Sequence, residues 1–196
     1  MTSGDHRLIV GITGATGVVY GVRLLERLQA TGIETHLVLS RWAARTLLHE
    51  TGYTPEAVER LATRSYPPAA LGAAIASGSF LTRGMVVVPC SMRTLSAIAH
   101  GQSENLIHRA ADVTLKERRR LVLVVREAPL SEVHLENMLR LSRMGAVICP
   151  PVPAFYHRPR TLDDVIDYTV GRILDQVGVH LDLPRWDGAM EPGRRG

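Results

Sequence analysis

The stretch Arg7-Leu-Ile-Val-Gly-Ile-Thr-Gly-Ala-Thr-Gly17 decides the fold. Arg7 to Ile12 has the continuous apolar character of a strand buried on both faces. Gly14 and Gly17 then allow a tight turn and a close backbone approach. Beyond Gly17, Val18, Val22, Leu25 and Leu28 recur at helical spacing. A strand that turns directly into a helix gathers backbone N–H groups and the positive end of the helix dipole at one point, where an anion is favoured. Thr16 adds a hydroxyl there. The stretch therefore reads either as a phosphate loop or as a plain structural βα turn.

A dinucleotide site is the competing sharp reading, and it fails three checks. The glycine expected three residues after Gly17 is Tyr20, and the second strand ends on Ser40 instead of an acid for a ribose hydroxyl. The Tyr-x-x-x-Lys dyad of short-chain dehydrogenases is absent, because Asp112 stands where its tyrosine would precede the only lysine.

Outward from the loop, apolar strands alternate with helices. Further strands are expected at Glu34–Leu39, Met85–Val88 (ended by Pro89), Leu121–Val125 and Ala146–Ile148. Helices are expected over Gly17–Ala30, Arg41–Glu50, Pro55–Ala62, Ser91–His100, Leu106–Glu117, Leu130–Met144 and Leu162–Gly178. Arg64–Phe80 and the Pro-rich Cys149–Arg160 read as loops. This alternation predicts an α/β, Rossmann-like (flavodoxin-like) three-layer sandwich with a parallel sheet. One domain is expected over residues 1–183, followed by a tail, 184–196, partly ordered around Trp186.

Composition narrows the function. The 196 residues suit one domain with a sizeable core, and aromatics at 5% make that core aliphatic. No apolar run approaches the roughly 18 residues that span a bilayer, so no membrane role is expected. Two cysteines, Cys90 and Cys149, build no disulfide framework, which points to a cytoplasmic home. A net charge of +4 is spread along the chain with only Arg118-Arg119-Arg120 as a run, so nucleic acid is not the expected partner. The chain has 22 arginines but a single lysine, Lys116. It is either a chance occupant of a solvated helix face or a compact ammonium pointed at an anion.

In a parallel α/β sheet, ligands sit at the carboxyl ends of the strands. Those exits are Thr13–Thr16, Ser40, Cys90–Thr94 and Arg126–Glu127. Ser91, Arg93 and Thr94 open a helix after a strand and form a second cradle beside the first, unless Ser91 is a simple cap. Two cradles suit a flavin mononucleotide, one holding its phosphate and the other its ring system or a second phosphate. Asp163-Asp164-Val-Ile-Asp167 matches a diphosphate-magnesium motif, but Thr161 with Asp164 forms a capping box and the acids complement the helix dipole. His134 and Glu136 lack metal-ligand spacing, and Cys90 reads as a packed thiol. No metal is expected.

The segments at 11–17, 89–95 (Pro-Cys-Ser-Met-Arg-Thr-Leu), 109–119, 126–130, 134–139 and 150–156, taken in order, closely resemble UbiX-type flavin prenyltransferases, in the branch paired with phenolic and aromatic acid decarboxylases. The resemblance runs from about Leu8 to Trp186. It implies a homo-dodecamer built from trimers that joins dimethylallyl monophosphate to N5 and then C6 of reduced FMN without a metal. The product, prenylated FMN, would pass to a UbiD-type decarboxylase. It further implies FMN contacts from Gly14, Ala15, Thr16, Ser40, Ser91, Met92, Arg93, Thr94 and Arg126. Substrate contacts are implied for Arg109, Lys116, Tyr156, Arg172 and Trp186, and catalytic roles for Glu50, Lys116, Glu127 and Tyr156. The alternatives are an FMN-dependent cysteine-type decarboxylase, for which His49 is a poor match to the needed histidine, and a non-catalytic flavin-binding component of a decarboxylase.

Overall fold

The computed structural model describes residues 4, 6–186 and 188. Its strands are β1 (Arg7–Ile12), β2 (Glu34–Leu39), β3 (Arg64–Tyr66), β4 (Gly84–Cys90), β5 (Arg120–Val125) and β6 (Val147–Ile148). Its helices are α1 (Val18–Gln29), α2 (Arg41–Glu50), α3 (Pro55–Glu59), α4 (Met92–Ala99), α5 (Leu106–Lys116), α6 (Glu132–Arg143) and α7 (Leu162–Asp175). The strands form one six-stranded parallel sheet in the order β3-β2-β1-β4-β5-β6. The order reverses between β1 and β4, which leaves a crevice above their carboxyl ends.

Alternation along each strand divides the core into two layers. Leu8, Val10 and Ile12 of β1, Val86 and Val88 of β4, and Val122 and Val124 of β5 pack with α1, α2 and α7. Ile9, Met85, Val87, Leu121, Leu123 and Val125 point the other way and pack with α4 and α5. Both layers are nearly all aliphatic and fully buried, each such side chain contributing about 1.5–3 kcal/mol. Among the described residues, no helix is long and apolar enough to cross a membrane.

Three local expectations change. The segment 64–80 is not all loop: Arg64–Tyr66 adds β3 to the sheet edge, and Ala74–Ala76 is a single 3-10 turn. Pro89 does not end β4, which continues to Cys90 and pairs it with Val125 after an irregular step in register. The carbonyl of Pro89 is used fully, accepting from the Thr13 backbone N–H at 3.2 Å and its hydroxyl at 2.7 Å. The helix ends also retreat, since Ser131 caps α6 and α7 stops at Asp175.

Candidate functional site

The crevice at the carboxyl ends of β1 and β5 encloses about 390 Å³. Thr16, Gly17, Tyr20, Arg126 and Glu127 line one part of it, and Val125, Ala128, Pro150, Pro151 and Val152 supply an apolar wall. Thr13, which the sequence places at a strand exit but does not mark as a site residue, ties together the strand exits beside it. The buried Thr13 hydroxyl donates to the Pro89 carbonyl and accepts from the Ser91 N–H at 2.9 Å, so the exits of β1 and β4 are pinned together. The signal for it is a polar residue directly after an otherwise apolar strand.

Ser40 caps α2 by accepting from the Ala43 N–H at 3.1 Å, and Ser91 caps α4 by accepting from the Thr94 N–H at 3.3 Å. Each cap leaves the first N–H groups of its helix, at Arg41 and Trp42 and at Met92 and Arg93, with no acceptor inside the helix. The start of α1 differs from expectation. Gly17, at φ 90°, turns the chain into α1, and the Glu50 carboxylate from the end of α2 accepts from the Gly17 N–H at 2.8 Å and the Val18 N–H at 3.3 Å. The anion at that helix terminus is therefore one of the chain's own acids, and a phosphate brought there would face its charge. Gly14 is also explained from within, because a Cβ on it would lie 2.3 Å from the Cβ of Trp42. What approaches Gly14 closely is the first turn of α2.

The remaining exit residues divide by what they already hold. Among the described residues the Thr16 hydroxyl has no hydrogen-bond partner and the Arg126 guanidinium no ion pair. Ala15 and Met92 are half-buried, and Thr94 is buried against the Ser91 hydroxyl at 3.2 Å. Arg93 is exposed and reaches Glu104 at 3.2 Å. Glu127 accepts from the Ala128 N–H at 3.1 Å. Burial pushes the Cys90 thiol far above its ordinary range, so it is a packed group with no nucleophilic role.

Tyr156, Arg172 and Trp186 form a second group, which shares no residue with the crevice lining. The Tyr156 hydroxyl is hydrogen-bonded to that of Tyr168 on α7, and its ring meets Trp186 edge-on with centroids 5.6 Å apart. His157 stacks on Tyr168 at 4.3 Å. Burial, first, and then the bond to Tyr156 raise the Tyr168 pKa. Arg172 pairs with Asp175 at 2.7 Å. The tail beyond Trp186 falls largely outside the described residues.

Of the two α5 cations, Lys116 lies apart from both groups. Arg109 pairs with Asp112 at 2.9 Å, and Lys116 pairs with Glu117. Lys116 ends α5 beside Gly78, just ahead of Arg120 where β5 begins. It therefore sits at the amino edge of the sheet. β4 alone has seven residues, so the strand exits are about 20 Å away. A single chain does not bring Lys116 to Thr16, Ser91 and Arg126. The Asp163–Asp167 motif is likewise accounted for, since Arg23 holds Asp163 at 2.7 Å and Asp167 at 2.6 Å, and Asp164 completes a capping box with Thr161.

The crevice thus combines an apolar wall with, among the described residues, an unpaired guanidinium and an unpaired hydroxyl, and the N-termini of α2 and α4 open at the neighbouring exits of β2 and β4. That donor set fits a planar ring system with an anionic tail, and with the sheet order it defines a nucleotide-type cofactor protein of the Rossmann class. The flavoprotein family model matches residues 1–174. A probable UbiX-like flavin prenyltransferase from Bacillus subtilis is 56% identical over 186 residues, covering 94% of this chain and 91% of the relative. The crystal structure of AnUbiX (PadA1) in complex with FMN and dimethylallyl pyrophosphate superposes with a TM-score of 0.93 at 51% identity, covering 95% of this chain and 100% of that one. The dodecameric FMN-dependent UbiX-like decarboxylase from Escherichia coli O157:H7 gives 0.91 at 54% identity, covering 93% and 100%. The chain belongs to the UbiX-like flavin prenyltransferase family.

Proposed function

We propose that this chain transfers the dimethylallyl group of dimethylallyl monophosphate to N5 and C6 of reduced FMN and delivers prenylated FMN to a UbiD-type decarboxylase. The observation that carries this reading is the crevice at the exits of β1 and β5, where, among the described residues, the Arg126 guanidinium and the Thr16 hydroxyl are unpaired beside an apolar wall. A relative about half identical to the chain is crystallised with FMN and a dimethylallyl phosphate ester. The reduced flavin supplies the nucleophilic nitrogen and carbon.

The protein's part is binding, charge and proton control. Gly14, Ala15, Thr16, Ser40, Ser91–Thr94 and Arg126 border the strand exits and hold the flavin. One Glu50 oxygen is fixed on α1, and the other is free among the described residues to take a proton from the ring. Glu127 lines the same crevice as a second acid. The allylic bond breaks as the phosphate leaves, and without a metal that charge must meet fixed cations. Arg109, Lys116 and Arg172, with the Tyr156 hydroxyl and Trp186, are the groups assigned to it.

Lys116 lies at the wrong sheet edge to act within its own chain, so the site is closed by a neighbouring copy. A homo-dodecamer, the state of the E. coli relative, supplies such neighbours. Residues 1–183 form the flavoprotein domain with 184–196 as its tail, and the cytoplasm is the proposed location.

The test is anaerobic incubation with reduced FMN and dimethylallyl phosphate, followed by mass spectrometry of the released flavin. A gain of one prenyl unit is expected, and an unchanged mass refutes the reading. Lys116→Ala should slow transfer while FMN binding holds; equal loss of both would make the lysine structural.

A further inference from the structure

In the sequence Tyr168 is only one position on α7, yet it is the sole hydrogen-bond partner of the Tyr156 hydroxyl among the described residues. The two differ sharply in access: Tyr168 is 8% exposed and Tyr156 45%. Tyr156 also sits in the loop after Cys149, whereas Tyr168 is built into a helix. In a pair of hydroxyls one donates and the other accepts. If Tyr156 donated inward, it would turn only lone pairs toward solvent and would repel an anion.

We propose that Tyr168 is a positioning residue for the prenyl phosphate: its hydroxyl donates to Tyr156, so that the Tyr156 proton is aimed outward at a phosphate oxygen. The inference rests on the prenyl-transfer reading above. A hydroxyl that accepts a hydrogen bond becomes a better donor, so the chain Tyr168 to Tyr156 to phosphate is cooperative.

The surroundings hold this polarity. The charges of Arg172 and Arg185 act on Tyr168, and that of Arg185 also acts on Tyr156, so an anion is favoured next to the pair. His157 lies flat on the Tyr168 ring at an interplanar angle of 20°, and Trp186 meets the Tyr156 ring at 73°. Both rings are clamped, which leaves the hydroxyls little freedom to part. Among the described residues both ring nitrogens of His157 are buried without a hydrogen-bond partner, so its contribution is that of a flat packing surface.

The experiment is a double-mutant cycle on the full-length protein, with anaerobic turnover of dimethylallyl phosphate and reduced FMN. Tyr168→Phe keeps the ring and its stack and removes only the hydroxyl. It should raise KM for dimethylallyl phosphate about tenfold, the worth of one hydrogen bond to a charged group. The FMN Kd should stay within about twofold, because the crevice shares no residue with this cluster. Tyr156→Phe should raise KM at least as much, and the double variant should match Tyr156→Phe alone, since Tyr168 acts through Tyr156. Additive losses would overturn the proposal, as would an unchanged KM in Tyr168→Phe.

Folding is checked by the FMN Kd itself, and a Tyr168→Phe protein that loses flavin binding also counts against the proposal. A wild-type protein that leaves the flavin mass unchanged would instead remove the prenyl-transfer reading beneath it.

Discussion

Replacing Asp175 by Asn should loosen the tail and the aromatic cluster together. Asp175 closes α7, and its side chain is only 8% exposed. It accepts from Arg185 at 2.5 and 2.9 Å, from Arg172 at 2.7 Å and from His180 at 2.8 Å. Arg185 above all, then His180 and Arg172, hold its carboxyl down from 3.8 to about 2. A carboxylate whose pKa is depressed by folding stabilises the folded state above its unfolded pKa. That stability is lost as pH falls through the folded value. The 3.8-to-2 shift is worth about 2.4 kcal/mol at pH 7, about 1.3 kcal/mol at pH 3 and about 0.4 kcal/mol at pH 2.

Equilibrium urea unfolding of wild type and Asp175→Asn at several pH values between 3 and 7 measures this directly. The gap between them should be about 2 kcal/mol at neutrality and should narrow by about half at the acid end. Because Arg185 adjoins Trp186, which packs on Tyr156, the variant should also raise KM for dimethylallyl phosphate with the FMN Kd unchanged. A gap that does not change with pH, or one below about 0.5 kcal/mol, would mean that solvent screens the two arginines and that Asp175 does not anchor Arg185.

Two substitutions test the crevice. Thr13→Val removes a buried hydroxyl, strands the Ser91 N–H and leaves the Pro89 carbonyl with only the backbone N–H of residue 13. It should cost about 1–3 kcal/mol in urea unfolding and weaken FMN binding, and unaltered flavin affinity would show that the β1–β4 pin does not shape the site. Glu50→Gln retains an acceptor for the Gly17 and Val18 N–H groups but loses the charge. Stability should fall by only about 0.3–1 kcal/mol, while prenyl transfer measured by flavin mass drops about a hundredfold or more. Parallel losses in FMN binding and turnover would instead make the carboxylate a helix cap alone.

The core strands were legible because a sheet covered on both faces needs apolar residues at every position, and β1, β4 and β5 supply them. β3 was not, because two of its three residues are exposed and it pairs only with β2, so no apolar run marks it. Pro89 misled because a proline lacks the N–H of a ladder, yet its carbonyl is the group the neighbouring chain segment uses. Within the site, the serine caps at Ser40 and Ser91 could be read from a polar residue placed between strand and helix. The capture of the α1 terminus by Glu50 could not, since it joins groups 33 residues apart through tertiary packing. The position of Lys116 was implicit in the topology: a helix that returns to start a parallel strand ends at the amino edge, so its last residue is turned away from the strand exits.

The cations assigned to the phosphate are not equivalent, and their present partners rank them. Arg109 and Lys116 are half-exposed and each is paired with an acid of comparable exposure, Asp112 and Glu117. Such pairs are worth about 0–1 kcal/mol, so a phosphate carrying two charges can draw the cation away at little cost. Arg172 is bound to Asp175, whose carboxyl is nearly buried and lowered in pKa by Arg185 first, then by the His180 hydrogen bond and by Arg172. Separating that pair would leave a carboxylate short of charge in a poorly solvated place, so Arg172 keeps Asp175 and offers the phosphate only its remaining N–H groups. Among the described residues Arg126 has no acid to release. On the proposed assignment, the phosphate would be met by one cation held in place from the α7 side and by others that exchange partners on arrival, while Arg126 would stay available on the flavin side.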